Sequence, residues 1–341
     1  LHFTIHSFPT RRSSDLEIVR TDTEDVAAYL RLAHVLRREG DHERAATLYR
    51  NLRAREIADH RLRLQITAGW VGELFALGRF DEARVAAEEL RRLDRRHPLI
   101  ARVELQDALR ARDYGRALKA CDQLSKVAPV PGGPRPAAAR THVAVQLMEA
   151  GQPRDARRAL EQAVAEEGGY APGLFWLGEA YNRQNDFEKA AQTWTLLLRK
   201  APASAAGVVD QIEKVYFEMG RFSELGNLYD ELAAQPDSAP VLRLASARMA
   251  LRRGEIEEGL AKVEELLARD PSLPGAHEWR AFLLLEAQRP EEARRCLKER
   301  VESRVTAASG RPCPSCARIL PWTTIQCPHC GTWQEAPFID K

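Results

Sequence analysis

The sequence predicts an all-α fold: a right-handed solenoid of about eight helical hairpins, followed by a small four-cysteine knuckle. Three observations predict it. A two-residue turn signature recurs at intervals of 34 to 39 residues. A small residue follows each turn at a fixed distance, where the two helices of a hairpin must cross. Two C-x-x-C pairs stand close together near the C-terminal end.

Residues 171–204 set the pattern. Leu174, Leu177 and Tyr181 form a helical stripe with small Gly178 between them, and Asn185-Asp186 breaks the helix. A second helix carries Ala190, Trp194 and Leu197 and ends at Pro202. This resembles the tetratricopeptide repeat, a helix–turn–helix with small residues at the crossing. Aligned on the turn, the register recurs at Gly40-Asp41, Gly78-Arg79, Arg112-Asp113, Gly151-Gln152, Asn185-Asp186, Gly220-Arg221, Gly254-Glu255 and Gln288-Arg289. Five residues after each turn begins stand Ala45, Ala83, Ala117, Ala156, Ala190, Leu225, Gly259 and Ala293. Alanine or glycine there lets two helices approach while larger residues fill the space above and below. Two intervals are long and hold inserts, at 55–62 and in the Pro/Gly-rich segment 129–136, a loosened joint between repeats three and four. The array therefore runs over 26–306, each hairpin burying its faces against its neighbours. Residues 17–25 read as the remnant of a preceding repeat, with Ile18 and Val19 its last apolar contacts.

Residues 307–341 form the second domain. Cys313-Pro-Ser-Cys316 and Cys327-Pro-His-Cys330 have the spacing of two metal knuckles whose sulfurs converge on one centre. A pair of disulfides is the competing reading, but nothing ahead of the motif looks like a secreted, stapled domain. So short a segment needs a metal for much of its folding free energy. Zinc would make the site structural and iron would make it an electron carrier; the surroundings favour zinc. Ile319, Leu320, Trp322, Ile325, Trp333 and Phe338 are more apolar surface than the unit can bury, which predicts docking onto the last repeats. Gly331 suits a close turn after the second knuckle, and Ala317 suits the equivalent place less well. His329 is not needed as a ligand, because four thiolates close the shell.

Composition excludes several classes. The net charge is only +2, with 43 arginines and 8 lysines, and no clustered basic patch calls for nucleic acid. Charge is uneven: residues 31–116 hold 19 arginines against 14 acids, whereas 161–280 hold 13 basic residues against 20 acids. Solvated helix faces explain this; a basic front near an anionic surface and an acidic back facing a partner is the functional alternative. No phosphate loop, nucleophile elbow or H-E-x-x-H is present, so the chain reads as non-enzymatic. His34, His42, His60, His97, His142 and His277 are scattered, and Cys121 and Cys296 sit among packing positions of second helices. What remains is binding. The inner curve should be lined by Leu30, His34, Ala68, Phe75, Phe175, Glu179, Asp210, Phe217, Leu244 and Arg248. Phe75, Phe175, Phe217 and Arg248 are the candidate partner-binding residues, with padding of the neighbouring repeat's core as the alternative.

His6 to Leu16, HSFPTRRSSDL, resembles the in-frame translation of a common short-read sequencing adapter. Residues 1–16 therefore read as an artefactual leader standing where natural sequence has been lost. No signal peptide and no apolar run of about 20 residues is present, so the chain as written would be soluble.

Repeats followed by C-x2-C-x10-C-x2-C-x2-W (Cys313, Cys316, Cys327, Cys330, Trp333) resemble the lipopolysaccharide assembly protein B family over residues 17–338. The resemblance implies a rubredoxin-like, zinc-ribbon knuckle with the four cysteines as ligands of one metal ion. It also implies an N-terminal inner-membrane anchor, absent from this sequence, with the remainder on the cytoplasmic side. The implied role is an adaptor presenting the deacetylase that commits carbon to lipid A to a membrane AAA+ protease. The alternatives are a repeat scaffold for another envelope complex and a rubredoxin-type electron carrier.

Overall fold

The structure, a computed structural model, describes residues 25–127, 133–235, 238–271, 273, 275–302, 311–313, 315–316, 318–320 and 326–332. The adapter-like leader, Ile18, Val19, Ala317, Trp322, Ile325, Trp333 and Phe338 lie outside them, so the docking expectation does too. The chain divides into two compact units, residues 1–133 and 134–341, and the break falls inside the Pro/Gly-rich segment.

The first unit holds three hairpins: α1 (Val26–Arg38) with α2 (His42–Arg53), α3 (His60–Ala76) with α4 (Phe80–Leu93), and α5 (Pro98–Arg110) with α6 (Tyr114–Leu124). The second holds five. They pair α7 (Pro136–Glu149) with α8 (Pro153–Glu166), α9 (Ala171–Arg183) with α10 (Phe187–Lys200), and α11 (Val209–Glu218) with α12 (Phe222–Ala233). α13 (Pro240–Arg252) with α14 (Ile256–Arg269) and α15 (Ala276–Glu286) with α16 (Pro290–Glu302) complete the series. No helix among the described residues is long and apolar enough to cross a membrane.

The turns explain the repeat. The first residue of every turn has positive φ, including Gly40 (81°), Gly151 (74°) and Gly254 (82°). The second residue's N–H then reaches back to a carbonyl five residues earlier, as in Asp41 N to Leu36 O (2.9 Å) and Glu255 N to Ala250 O (2.9 Å). This is the bond pattern of a Schellman cap, which satisfies carbonyls orphaned at a helix end. Where the second residue is aspartate, it also caps the next helix. Asp41 Oδ1 accepts from Arg44 N at 3.2 Å and Asp113 Oδ1 from Arg116 N at 2.9 Å. Two residues thus end one helix and start another.

Where arginine replaces that aspartate, its side chain does different work. Arg79, Arg221 and Arg289 each grip the glutamate three residues on, Glu82, Glu224 and Glu292. Each also reaches a glutamate of the preceding repeat: Glu43, Glu188 and Glu257. These pairs are exposed and screened by salt, so they contribute register between repeats more than stability.

All eight crossing positions are buried. At Gly259, the one glycine among them, a Cβ would meet the carbonyl oxygen of Ala247 at 3.0 Å. Hairpin six departs from the pattern. Leu225 occupies its crossing, and its first helix, α11, is only 10 residues long. A 3-10 helix, Pro202–Gly207, leads into it, an element that the helical period does not announce. The insert expected at 55–62 divides between a loop ending at Asp59 and the first turn of α3, which Asp59 caps.

Candidate metal centre and binding faces

The knuckle begins with a two-residue antiparallel pairing of β1 (Arg311–Pro312) with β2 (Ile319–Leu320). Cys313 follows β1 directly, and its N–H donates to Arg318 O at 2.8 Å. The second knuckle repeats the relation, with Cys327 N donating to Thr332 O at 2.8 Å. Each hairpin-like loop therefore folds its two cysteines inward by the same five-residue closure. Gly331, at φ 71°, makes the turn that the second loop needs and donates to Cys327 O at 2.9 Å.

The four sulfurs lie within 4.8 Å of one another. Cys313 Sγ is 3.5 Å from Cys330 Sγ, and Cys316 Sγ is 3.8 Å from Cys327 Sγ. A tetrahedron with metal–sulfur bonds of about 2.3 Å has edges of about 3.8 Å. A disulfide would need about 2.05 Å. The separations fit one tetrahedral ion, and all six cysteines are unbridged. The four cysteines can therefore bind one metal ion.

Proton affinity within the cluster is divided. Burial raises the Cys313 thiol, but the amide N–H groups of Ser315 and Cys316 and sharing with Cys330 outweigh it and bring it to about 6. For Cys316 an Arg318 amide acts downward, while burial and the three neighbouring sulfurs push it up to about 12. The Thr332 hydroxyl and amide lower Cys330. Amide and hydroxyl donors aimed at sulfur are what a thiolate ligand set requires. Cys313 and Cys327 are buried with Leu320, whereas Cys330 is exposed. The site thus has a closed side and an open side, a distinction the motif spacing does not carry.

The candidate partner-binding residues separate on burial. Phe217 is 65% exposed, its ring edge-on to Phe222 at 5.4 Å. Phe75 is half-buried, edge-on to Phe80 and covered by the Arg102 guanidinium at 4.3 Å. Phe175 is 9% exposed and belongs to the core around Trp194 and Tyr229, which matches the padding alternative. The Arg248 side chain is 18% exposed, holds buried Glu213 through Nη2 at 2.6 Å and lies 5.3 Å over the Trp279 ring. Burial raises the Glu213 carboxyl in spite of Arg248 and Arg252. Arg248 thus has a structural task already.

The scattered histidines and remaining cysteines do not assemble a second centre among the described residues. Among the described residues, the cluster of potential metal ligands is the cysteine quartet. Cys121 and Cys296 are buried, the latter donating to His277 O at 3.4 Å.

Models of the tetratricopeptide repeat match residues 147–208, 244–300 and 26–51. Lipopolysaccharide assembly protein B of Escherichia coli strain K12 is 20% identical over 324 residues, covering 93% of this chain and 82% of that protein. The protein of the same name from Escherichia coli O157:H7 matches equally. Among solved structures, a tetratricopeptide repeat protein from Parabacteroides merdae has a TM-score of 0.41 at 11% identity, covering 80% of this chain and 99% of that one. MamA from Desulfovibrio magneticus has a TM-score of 0.36 at 14% identity, covering 49% and 93%. The chain is a tetratricopeptide-repeat protein similar to lipopolysaccharide assembly protein B, with a C-terminal four-cysteine cluster fitted to one metal ion.

Proposed function

We propose that this chain is a non-enzymatic adaptor in lipopolysaccharide assembly at the cytoplasmic face of the inner membrane. The observation that carries the reading is one combination: stacked hairpins with a four-thiolate knuckle behind them, in a chain similar along most of its length to lipopolysaccharide assembly protein B. An adaptor works by effective concentration. Holding a client on one surface and a second protein on another converts their encounter into an intramolecular event. By resemblance, the client is the lipid A-committing deacetylase and the second protein a membrane AAA+ protease. Phe75 and Phe217, partly or largely open, are the aromatic contacts offered to a client.

The metal in this reading is zinc, with a structural role. Four thiolates without an open coordination position suit a site that holds a surface in place. Purified protein would be colourless and contain one zinc per chain; a red protein with reversible one-electron chemistry would overturn the assignment.

The adaptor reading is tested by affinity purification from native membranes, comparing the wild type with Cys327→Ser. Recovery of both the deacetylase and the protease with the wild type, and loss of either with the variant, supports it. Recovery of a different envelope complex instead makes the chain a scaffold of another pathway. Undiminished regulation by protein without bound metal would remove the knuckle from the mechanism.

A further inference from the structure

Hairpins stack side by side, so the loops that join them fall along one edge of the array and the turns inside them along the other. In the first unit the joining edge is basic. Residues 53–63 hold four arginines against Glu56 and Asp59, and 91–97 hold four against Asp94. The ion pair of Arg53 with Glu89 ties the end of α2 to the end of α4, which makes the two stretches neighbours. Lys126, exposed just past the end of α6, continues the row.

Pairing sets this edge apart. Arg61, Arg63, Arg92, Arg95, Arg96 and Lys126 are exposed, and their side chains make no hydrogen bond or ion pair among the described residues. At the turn edge of the same unit, Arg44, Arg79, Arg84, Arg110 and Arg116 all face carboxylates. At the joining loops of the second unit, Arg135, Arg199 and Arg269 do so too. The acids of the basic edge are occupied elsewhere: Asp59 and Asp94 accept from the backbone amides of Arg61 and Arg96, at 2.7 and 2.9 Å. Position also argues for a use outside the fold. Arg61 and Arg63 stand in the first turn of α3, which holds no acidic residue, and cations there oppose the helix dipole.

We propose that the joining edge of the first unit lies against an anionic lipid surface, with these five arginines and Lys126 among its headgroups. Charge complementarity selects an anion, and the form of the edge selects lipid. The cations are spread along consecutive loops, and no ring or carboxylate among the described residues fixes any of them. A preset guanidinium fork is what recognition of one carboxylate needs. Loose charges suit mobile headgroups, whose potential acts on each cation separately. Nucleic acid would want open rings among the charges. The rings that arginines of this edge reach are covered by them, Trp70 by Arg53 at 3.6 Å and Tyr29 by Arg55 at 4.8 Å. The inference rests on the proposed adaptor's membrane location for its role, but lipid binding is measured without either partner protein.

The test floats the full chain with phosphatidylcholine vesicles made with and without phosphatidylglycerol. We expect partition onto the vesicles that contain phosphatidylglycerol, weakening as salt rises. One arginine at such a surface contributes about fivefold to binding. Arg92→Gln, Arg95→Gln and Arg96→Gln together should therefore lower it by on the order of 100-fold. Lysine at the same three positions should keep most of the binding, because diffuse attraction needs charge and not a fork. An equal charge change at exposed positions of the second unit, Arg154→Gln, Lys200→Gln and Lys214→Gln, should leave it nearly unchanged. No preference for phosphatidylglycerol, an equal loss from the second-unit variant, loss in the lysine variant, or preference for soluble polyglutamate over the vesicles would each overturn the proposal. None of these outcomes bears on recovery of the deacetylase and protease from native membranes, so the adaptor reading stands or falls separately.

Discussion

Gly178 and Trp194 are packed so closely that a Cβ on the glycine would overlap the indole ring. Trp194 is fully buried, and its Nε1–H donates to Phe175 O at 3.1 Å. The hairpin of α9 and α10 is therefore closed by the largest side chain available meeting the smallest. Gly178→Ala should destabilise the second unit by about 1–3 kcal/mol, despite the better helix propensity of alanine. Trp194→Leu would create a cavity of its own, but in that background Gly178→Ala should cost nearly nothing. Urea denaturation of the four proteins checks this, and additive losses would contradict the packing account.

A stabilising change is available at the turns. Five of the eight αL turn positions hold glycine, but Arg112, Asn185 and Gln288 occupy the others at φ 55°, 57° and 58°. Asparagine tolerates this conformation; arginine and glutamine have no such compensation. Arg112→Gly and Gln288→Gly should each raise stability by about 1 kcal/mol, the relief of αL strain exceeding the entropy glycine adds to the unfolded chain. Gly254→Ala, where a Cβ meets nothing within 4 Å, should lower it by a similar amount through backbone strain alone. Shifts in thermal midpoint read both signs.

These turns also show why so much of the fold was legible in the sequence. Positive φ favours few residue types, and a helix that must end two residues before another begins leaves a local mark. Arg112 and Gln288 carry no such mark and were found only through the register of their neighbours. The crossing alanines are legible for the same local reason. Burial of a particular aromatic is not: Phe175 and Phe217 read alike on their helices, yet one is core and the other is 65% exposed. That difference depends on what α10, α11 and α12 place around each ring. The short α11 and the 3-10 helix before it follow from an alanine-rich segment whose composition fits several local conformations. At the knuckle, spacing singled out the four cysteines that the structure brings together, but the asymmetry between buried Cys313 and exposed Cys330 depends on packing against Leu320.

That asymmetry predicts how metal is lost. A chelator should reach the centre from the Cys330 side, and removal should unfold the knuckle while the hairpins persist. Far-UV circular dichroism would change little, whereas amide exchange at Cys313 and Cys327, whose N–H groups are bonded to Arg318 O and Thr332 O, should accelerate strongly. Cys313→Ser should abolish binding of the single ion. A helical signal that collapses with the metal would mean that the repeats depend on the knuckle.

The acid limb of stability should be set in part by His142 on α7. Burial lowers its pKa from the usual 6.5 to about 4. Above pH 6.5 the ring is neutral in both folded and unfolded chains and contributes no pH dependence. Between 6.5 and about 4 the unfolded chain takes up a proton that the folded chain refuses, so stability falls as pH falls. At pH 5 the loss from this group is about 2 kcal/mol, and below about 4 it levels off. His34 and His97 are lowered by burial too and act with the same sign. His142→Gln should flatten the dependence between pH 7 and 5, measured as the shift of the urea midpoint for the second unit. An unchanged slope in that variant would place the acid sensitivity in other groups of the chain.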